Sequence, residues 1–365
     1  MTDWVKVLQL FHGHRPATRW IILSAMGVLI TGCASRSHVT YDGRTGSLDA
    51  LTVSAEPTDP HFVYVAETIE AENHVVDRNR HYEIRQLSFP SIGDNGQVGN
   101  LVTVDYHRSL TPGNYPVVIV LPIWGRHIYP SDAITRTLRK RSNGRVHILS
   151  VLGPEFLIDW PRLGVETDEQ VFFDTWVEGA EREITTVIDL MRLIDWAQSR
   201  PEINGNRIGL IGFSHGAMLA PALATQEPRI SATVLVMGGA DPHEVIARCV
   251  GARTEGVQLH AQETFGWSQE EMAAILAPVY GPVNAANYPG RVDPETVLIF
   301  DAGKDECVPE SARDSLWEAM GRPERYTINS NHRHAFYTMT PLNFNWMRKK
   351  IWNFFEDRLL TSTEE

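Results

Sequence analysis

Gly212-Phe213-Ser214-His215-Gly216 sets a hydroxyl between two glycines, each two positions away. Arg207 to Ile211, just before it, reads as a buried strand, and Ala217 to Leu223, just after it, reads as a helix. A strand-to-helix turn this tight strains the serine backbone and brings strand and helix almost into contact. The positions two before and two after must then be small, and both are glycine. The helix start also aims free backbone N–H groups at the site, where they can hold developing negative charge.

A serine hydroxyl attacks only with a base beside it and an acid behind the base. Past Ser214 the chain supplies both, in the order serine, acid, histidine. Val297 to Phe300 is another buried-strand run. It leads through Asp301 to Gly303-Lys304-Asp305, and Pro309 closes the loop before a helix. Asp305 is the preferred acid. Asp301 is the rival, nearer the strand end and better suited to satisfying backbone groups. Arg325 to Ile328 reads as the last strand, and Asn331-His332-Arg333-His334-Ala335-Phe336 follows it. His334 is preferred over His332 as the base. Fourteen histidines are scattered along the chain, so position is what singles this pair out. An imidazole titrating near neutrality can take the serine proton and return it to the leaving group. Two backbone amides complete the set: the N–H of His215, and one from Pro122-Ile123-Trp124-Gly125, where Ile123 is preferred to Trp124. The His215 imidazole itself is read as filling the variable position of the motif, with no role of its own.

The elements that must position these residues alternate in type. Ile84 to Phe89 and Leu101 to His107 alternate apolar with polar, as half-buried antiparallel strands do. Pro116 to Leu121, Val146 to Val151 and Thr233 to Met237 are continuous apolar runs of the kind buried on both faces. Ile184, Val187, Ile188, Met191, Ile194 and Trp196 carry helical spacing, as do Ser311 to Met320 and Trp346 to Leu359. The fold class expected is α/β: a mixed, mostly parallel sheet of about eight strands with helices on both faces and a small helical insertion at about 241–292. Phe156, Trp160, Phe172, Phe173 and Trp176 fall after a strand end and read as an apolar pocket wall or lid, as does the insertion.

Apolar residues at 43% and charged residues at 21% mark a globular chain. A net charge of −12 argues against nucleic acid as a partner, since phosphate binding needs clustered Lys and Arg. Lys6, Arg15 and Arg19 precede an apolar stretch from Trp20 to Ile30, and then Ile30-Thr31-Gly32-Cys33. This resembles a bacterial lipoprotein signal. The resemblance implies a signal peptide over 1–32, a diacylglycerol (and palmitate) on Cys33, and a place in the cell envelope, on the outer membrane facing the periplasm. Residues 33–60, rich in Ser, Thr, Gly and Asp, read as a tether, and 61–365 as the folded body. Cys249 and Cys307 remain; in an exported protein they can pair, and both should sit above the same sheet edge.

Taken together, Gly212 to Gly216, Gly303-Lys304-Asp305 and His334-Ala335-Phe336 resemble the α/β-hydrolase superfamily over about residues 80–360. Val120 to Gly125 and His334-Ala335-Phe336 look like its dienelactone hydrolase and prolyl-oligopeptidase-like branches. The chain departs from strict dienelactone hydrolases, which use cysteine where Ser214 stands and a histidine or acid where Pro122 stands. The resemblance implies a serine hydrolase acting on a small-molecule carboxylic ester, lactone or thioester through an acyl-enzyme, without metal or organic cofactor. A peptidase or amidase of the same fold, and a binding lipoprotein that retains the turn, are the alternative functions.

Overall fold

The computed structural model describes residues 35–41, 59–66, 69–92, 101–123, 129–153, 157–329 and 340–361. Ten strands form one sheet: β1 (Ser35–Val39), β2 (Glu72–Arg78), β3 (Tyr82–Pro90), β4 (Leu101–Ser109), β5 (Tyr115–Val120), β6 (His147–Leu152), β7 (Ile203–Phe213), β8 (Ile230–Val236), β9 (Val297–Ala302) and β10 (Glu324–Asn329). Their spatial order is β1-β10-β9-β8-β7-β5-β6-β4-β3-β2. Pairing is parallel from β10 through β6 and antiparallel at both margins. The sheet is mixed and mostly parallel, as expected, but it has ten strands where about eight were expected.

The two additional strands are β1 and β2, the sheet's outermost. Every residue of both is exposed, so neither carries the apolar alternation by which a strand is recognised. β1 also falls in the stretch read as tether. Its register is specific: Ser35 lies opposite Asn329, and Val39 opposite Arg325. The His38 ring stacks on Tyr326 with centroids 4.1 Å apart, and Arg36 donates to Asn343 Oδ1 at 2.6 Å.

The apolar runs are continuous because both faces of the central strands are covered. Val117 and Ile119 of β5, with Ile208 and Leu210 of β7, join one buried cluster; Val118 and Val120, with Ile211 and Phe213, join the other. The first cluster is closed by α3 (Glu169–Gln198), α4 (Gly216–Gln226) and α8 (Glu310–Ala319). The second is closed by α1 (Ser131–Ser142) and α9 (Pro341–Phe355). α2 (Trp160–Leu163) is one short turn before α3. At the start of α3, Asp168 accepts from the amides of Gln170 and Val171, which fixes where that helix begins.

The insertion holds α5 (Pro242–Arg248), α6 (Ala252–Phe265) and α7 (Gln269–Leu276). Of the aromatics read as a pocket wall, Phe172 packs onto it. Phe172 and Trp176 are fully buried, with Phe172 lying 5.0 Å from Phe265 and 5.3 Å from Trp267 between ring centroids. The Trp267 indole donates to Glu169 at 2.7 Å. These side chains fasten the insertion to α3; Phe156 lies outside the described residues.

One buried histidine makes the fold sensitive to acid. His147, at the start of β6, is 1% exposed. Its Nδ1 accepts from the Ser109 amide at 3.1 Å, and its Nε2 faces the Glu202 carbonyl at 3.1 Å. That arrangement holds a neutral ring with its proton on Nε2. Burial pushes its pKa down to about 4. A depressed pKa means the stabilisation is complete above about pH 6.5 and is lost as the pH falls through about 4, a swing of roughly 3 kcal/mol. His147→Gln should therefore flatten the fall in melting temperature between neutral and acid pH. An unchanged slope in the variant would remove His147 as the cause.

Candidate active site

β7 ends at Phe213 and α4 begins at Gly216, so the chain must reverse within two residues. Ser214 takes that turn with φ of 50°, in the left-handed region that a non-glycine residue enters only under strain. Backbone bonds hold it there. Its N–H donates to the Val236 carbonyl at 2.8 Å, and its own carbonyl accepts from Ala217 at 2.8 Å. A Cβ at Gly212 would collide with the Gly216 carbonyl, and one at Gly216 would stand 2.5 Å from the Pro122 carbonyl oxygen. The two glycines are therefore required by contact: the first by strand against helix, the second by helix against the loop after β5. Ser214 is half-buried, at the carboxyl end of the central strand, where this kind of sheet opens its crevice.

His215 starts the first turn of α4, whose leading N–H groups lack intrahelical acceptors. Ile123 follows β5 and is 7% exposed. The contact between Gly216 and Pro122 brings these two segments together beside Ser214. Trp124, the alternative second donor, lies outside the described residues.

The two acids separate clearly. Asp301, inside β9, is fully buried and paired with Arg325 of β10, which also reaches Asp314 at 2.7 Å. Burial pushes the Asp301 carboxyl up to about 6, against the pull of Arg325. It is a structural ion-pair partner. Asp305 stands in the turn beyond β9, its N–H donating to the Ala302 carbonyl at 3.2 Å. Its Oδ1 accepts from the amides of Cys307 and Val308, both at 2.9 Å. Two backbone donors thus fix the orientation of this carboxylate at the carboxyl end of β9, two strands from β7. His334 and His332 both lie outside the described residues, between Asn329 at the end of β10 and Thr340 before α9.

Cys249 and Cys307 form a disulfide. It joins the end of α5 to the loop that carries Asp305, and Val250 adds a backbone bond to Glu306 at 2.9 Å. The insertion and the acid loop are thereby cross-linked at the same end of the sheet.

The feature that reading the sequence missed is Glu183. This acid of α3 is 5% exposed, and its Oε1 stands 3.1 Å from His215 Nε2. The signal was available: Glu183 falls on the apolar face of its helix, four residues before Val187 and three after Ala180. The His215 side chain is 28% exposed. Partial burial would push this imidazole down, but the Glu183 carboxylate outweighs it, and its pKa is raised.

Comparison with known proteins gives one partial family match and likenesses of fold. Residues 192–292 match the family model described as BAAT / Acyl-CoA thioester hydrolase C terminal. That match includes Ser214 but neither Asp305 nor His334. The uncharacterized protein Rv2627c of Mycobacterium tuberculosis is 27% identical over 151 residues, 41% of this chain and 33% of that protein; the match thus spans only a third of that relative's length. Among solved structures, an acetyl xylan esterase from Paenibacillus sp. R4 superposes with a TM-score of 0.59 at 17% identity, covering 80% of this chain and 90% of that one. Acetyl xylan esterase 1 from Thermoanaerobacterium sp. JW/SL YS485 gives 0.54 at 15% identity, over 80% and 88%. With its sheet order, its strained serine turn and these structural likenesses, the chain has an α/β-hydrolase fold.

Proposed function

We propose that the protein is a serine hydrolase that cleaves a carboxylic ester or thioester through an acyl-enzyme on Ser214. The observation that carries this reading is the strained Ser214 turn, held by Gly212 and Gly216 against the loop after β5. In the mechanism, His334, oriented by Asp305, takes the Ser214 proton as Oγ attacks the acyl carbonyl. The amides of His215 and Ile123 receive the oxyanion. His334 then protonates the leaving alcohol or thiol, and water, activated by the same base, releases the acid and restores Ser214. The thioester half of this reading is supported by the family match over 192–292. Rapid mixing with a p-nitrophenyl ester tests it. The expected result is a burst of about one equivalent of p-nitrophenolate per chain, with the acyl group recovered on the peptide containing Ser214. Linear release from time zero, with no acylated peptide, would speak against the acyl-enzyme.

We also propose that Cys33 carries lipid and holds the protein in the bacterial envelope. The β1 pairing gives this reading a consequence. Ser35 lies opposite Asn329 at the carboxyl end of β10, so Cys33 is at most about 7 Å of chain from that end. An anchor there would turn the Ser214 end of the sheet toward the lipid. Inserting about twenty Gly/Ser residues after Ala34 should leave hydrolysis of a soluble ester unchanged and slow that of a vesicle-embedded ester several-fold. Equal rates on both substrates would count against this orientation.

A further inference from the structure

Asp305 hangs from the amides of Cys307 and Val308, so its carboxylate points where those two residues put it. Val308 is held firmly. Its side chain is buried with Val245, Cys249 and Ala312, in a small cluster against which Met218 of α4 also packs. Its carbonyl accepts from Arg313 of α8 at 3.0 Å, and Arg313 is itself buried. The tip of the loop is different. Lys304-Asp305-Glu306 is polar, with Lys304 and Glu306 exposed, so burial of apolar surface does not pin it.

Cys307 lies between that polar tip and Val308, and is half-buried. What fixes it is covalent, the disulfide to Cys249. Cys249 is a firm attachment point. It is buried, its N–H donates to the Val245 carbonyl at 2.9 Å, and its carbonyl accepts from Thr254 of α6 at 2.8 Å. The neighbouring bond from Val250 to the Glu306 carbonyl joins two exposed residues, where water can replace it at little cost. A cross-link between residues 58 positions apart also stabilises a fold by restricting the unfolded chain. That effect alone would leave kcat untouched. The place of this disulfide, two residues from Asp305, gives it a second effect.

We propose that the Cys249–Cys307 disulfide positions Asp305 for catalysis, so that ester hydrolysis is switched by the oxidation state of this pair. This rests on the acyl-transfer reading given above, with Asp305 as its acid. Cys249 and Cys307 are positioning residues here; they act through the amides that orient the Asp305 carboxylate. The switch is thiol–disulfide exchange. The thiolate of a dithiol attacks the sulfur of Cys307, the more accessible of the two cysteines. The S–S bond breaks, and Cys249 leaves as a thiolate that takes up a proton. The second thiolate of the dithiol then attacks the mixed disulfide, releases Cys307 and closes the reagent's own disulfide, so that the protein gains two electrons and two protons and the dithiol loses them. In the reduced chain the tip can shift by about 1 Å, enough to misplace the carboxylate behind the histidine without unfolding the sheet. The chain is then slow while its thiols are free and fast once they are joined, which ties activity to an oxidising compartment.

The test combines reduction with a double-mutant cycle. kcat and KM for p-nitrophenyl acetate would be measured on the oxidised wild-type protein, after treatment with dithiothreitol and its removal under nitrogen, and after reoxidation. The variants are Cys249→Ala/Cys307→Ala, Asp305→Asn and the three substitutions combined, and thermal unfolding is followed for every sample. Reduction and the double cysteine variant should each lower kcat about tenfold to a hundredfold with KM within about twofold, and reoxidation should restore the wild-type rate. In the Asp305→Asn background, loss of the cysteines should change the residual kcat less than about twofold, because no carboxylate is left to misplace. An undiminished kcat in the reduced protein and the double variant would overturn the proposal. So would an equal fall with and without Asp305, which would put the effect elsewhere in the fold. A reduced protein with no cooperative melting above the assay temperature would also overturn it, making the cross-link a staple of the whole domain. An oxidised wild-type protein that neither turns over the ester nor reacts with a fluorophosphonate is a separate result. It would defeat the hydrolase reading and this proposal with it, whereas the other three leave that reading standing.

Discussion

Replacing Ser214 with alanine should lower kcat for a p-nitrophenyl ester by at least about 10⁴-fold, with little change in melting temperature. The size follows from the chemistry. Without Oγ no acyl-enzyme forms, and only the oxyanion amides and substrate binding remain to speed direct attack by water. The fold should survive, because Ser214 is held by its backbone, through Val236 and Ala217, and the Cβ is retained. A glycine at the same position should separate strain from chemistry. At φ of 50°, Ser214→Gly relieves a conformation that costs a side-chain-bearing residue on the order of 1 kcal/mol. It should be as inactive as the alanine variant yet at least as stable as the wild type. Kinetics and thermal unfolding of the two variants measured together check this. Wild-type turnover by either variant would remove Ser214 from the reaction.

The second large effect distinguishes the two acids of the β9 region. Asp305→Asn should reduce kcat by about 10³- to 10⁴-fold, because an amide in place of the carboxylate offers the wrong partner to the histidine and cannot balance its positive charge. Stability should change little, since the Asn oxygen can still accept from Cys307 and Val308 as Asp305 Oδ1 does. Asp301→Asn should do the opposite. It breaks a buried pair and leaves Arg325 with Asp314 alone, a loss of about 3 kcal/mol read as a lower melting temperature, with kcat within a few-fold of wild type. Measuring kcat and unfolding for both variants decides the matter, and the reverse pattern would make Asp301 the acid.

What could be read from the sequence followed from burial. The runs that became β5 through β9 are apolar throughout because α1 and α9 cover one face and α3, α4 and α8 the other. β3 and β4 carry alternation because they lie toward one margin of the sheet. β1 and β2 were illegible for the converse reason: all of their residues face solvent, and sheet pairing without burial leaves no mark on composition. The expectation for Cys249 and Cys307 came from topology, since both leave the carboxyl ends of neighbouring strands, β8 and β9; their disulfide lies there. Within the stretch from Trp160 to Trp176, Phe172 packs against the insertion, and an apolar cluster after a strand end looks the same in sequence whether it lines a pocket or fastens an insertion. Phe265 and Trp267, which decide the matter, are distant in sequence. His215 was set aside as the variable residue of its motif. Its partner Glu183 stands 32 positions earlier on a different helix, and only the packing of α3 against α4 brings the two together.

The most direct measurement is covalent labelling of the wild-type chain with a fluorophosphonate, followed by peptide mapping. The expected result is a single label on Ser214 that saturates at about one per chain, is slowed by a competing ester and is absent from Ser214→Ala. No label on the folded protein, or a label on another residue with Ser214 unmodified, would contradict the assignment of Ser214 as the nucleophile.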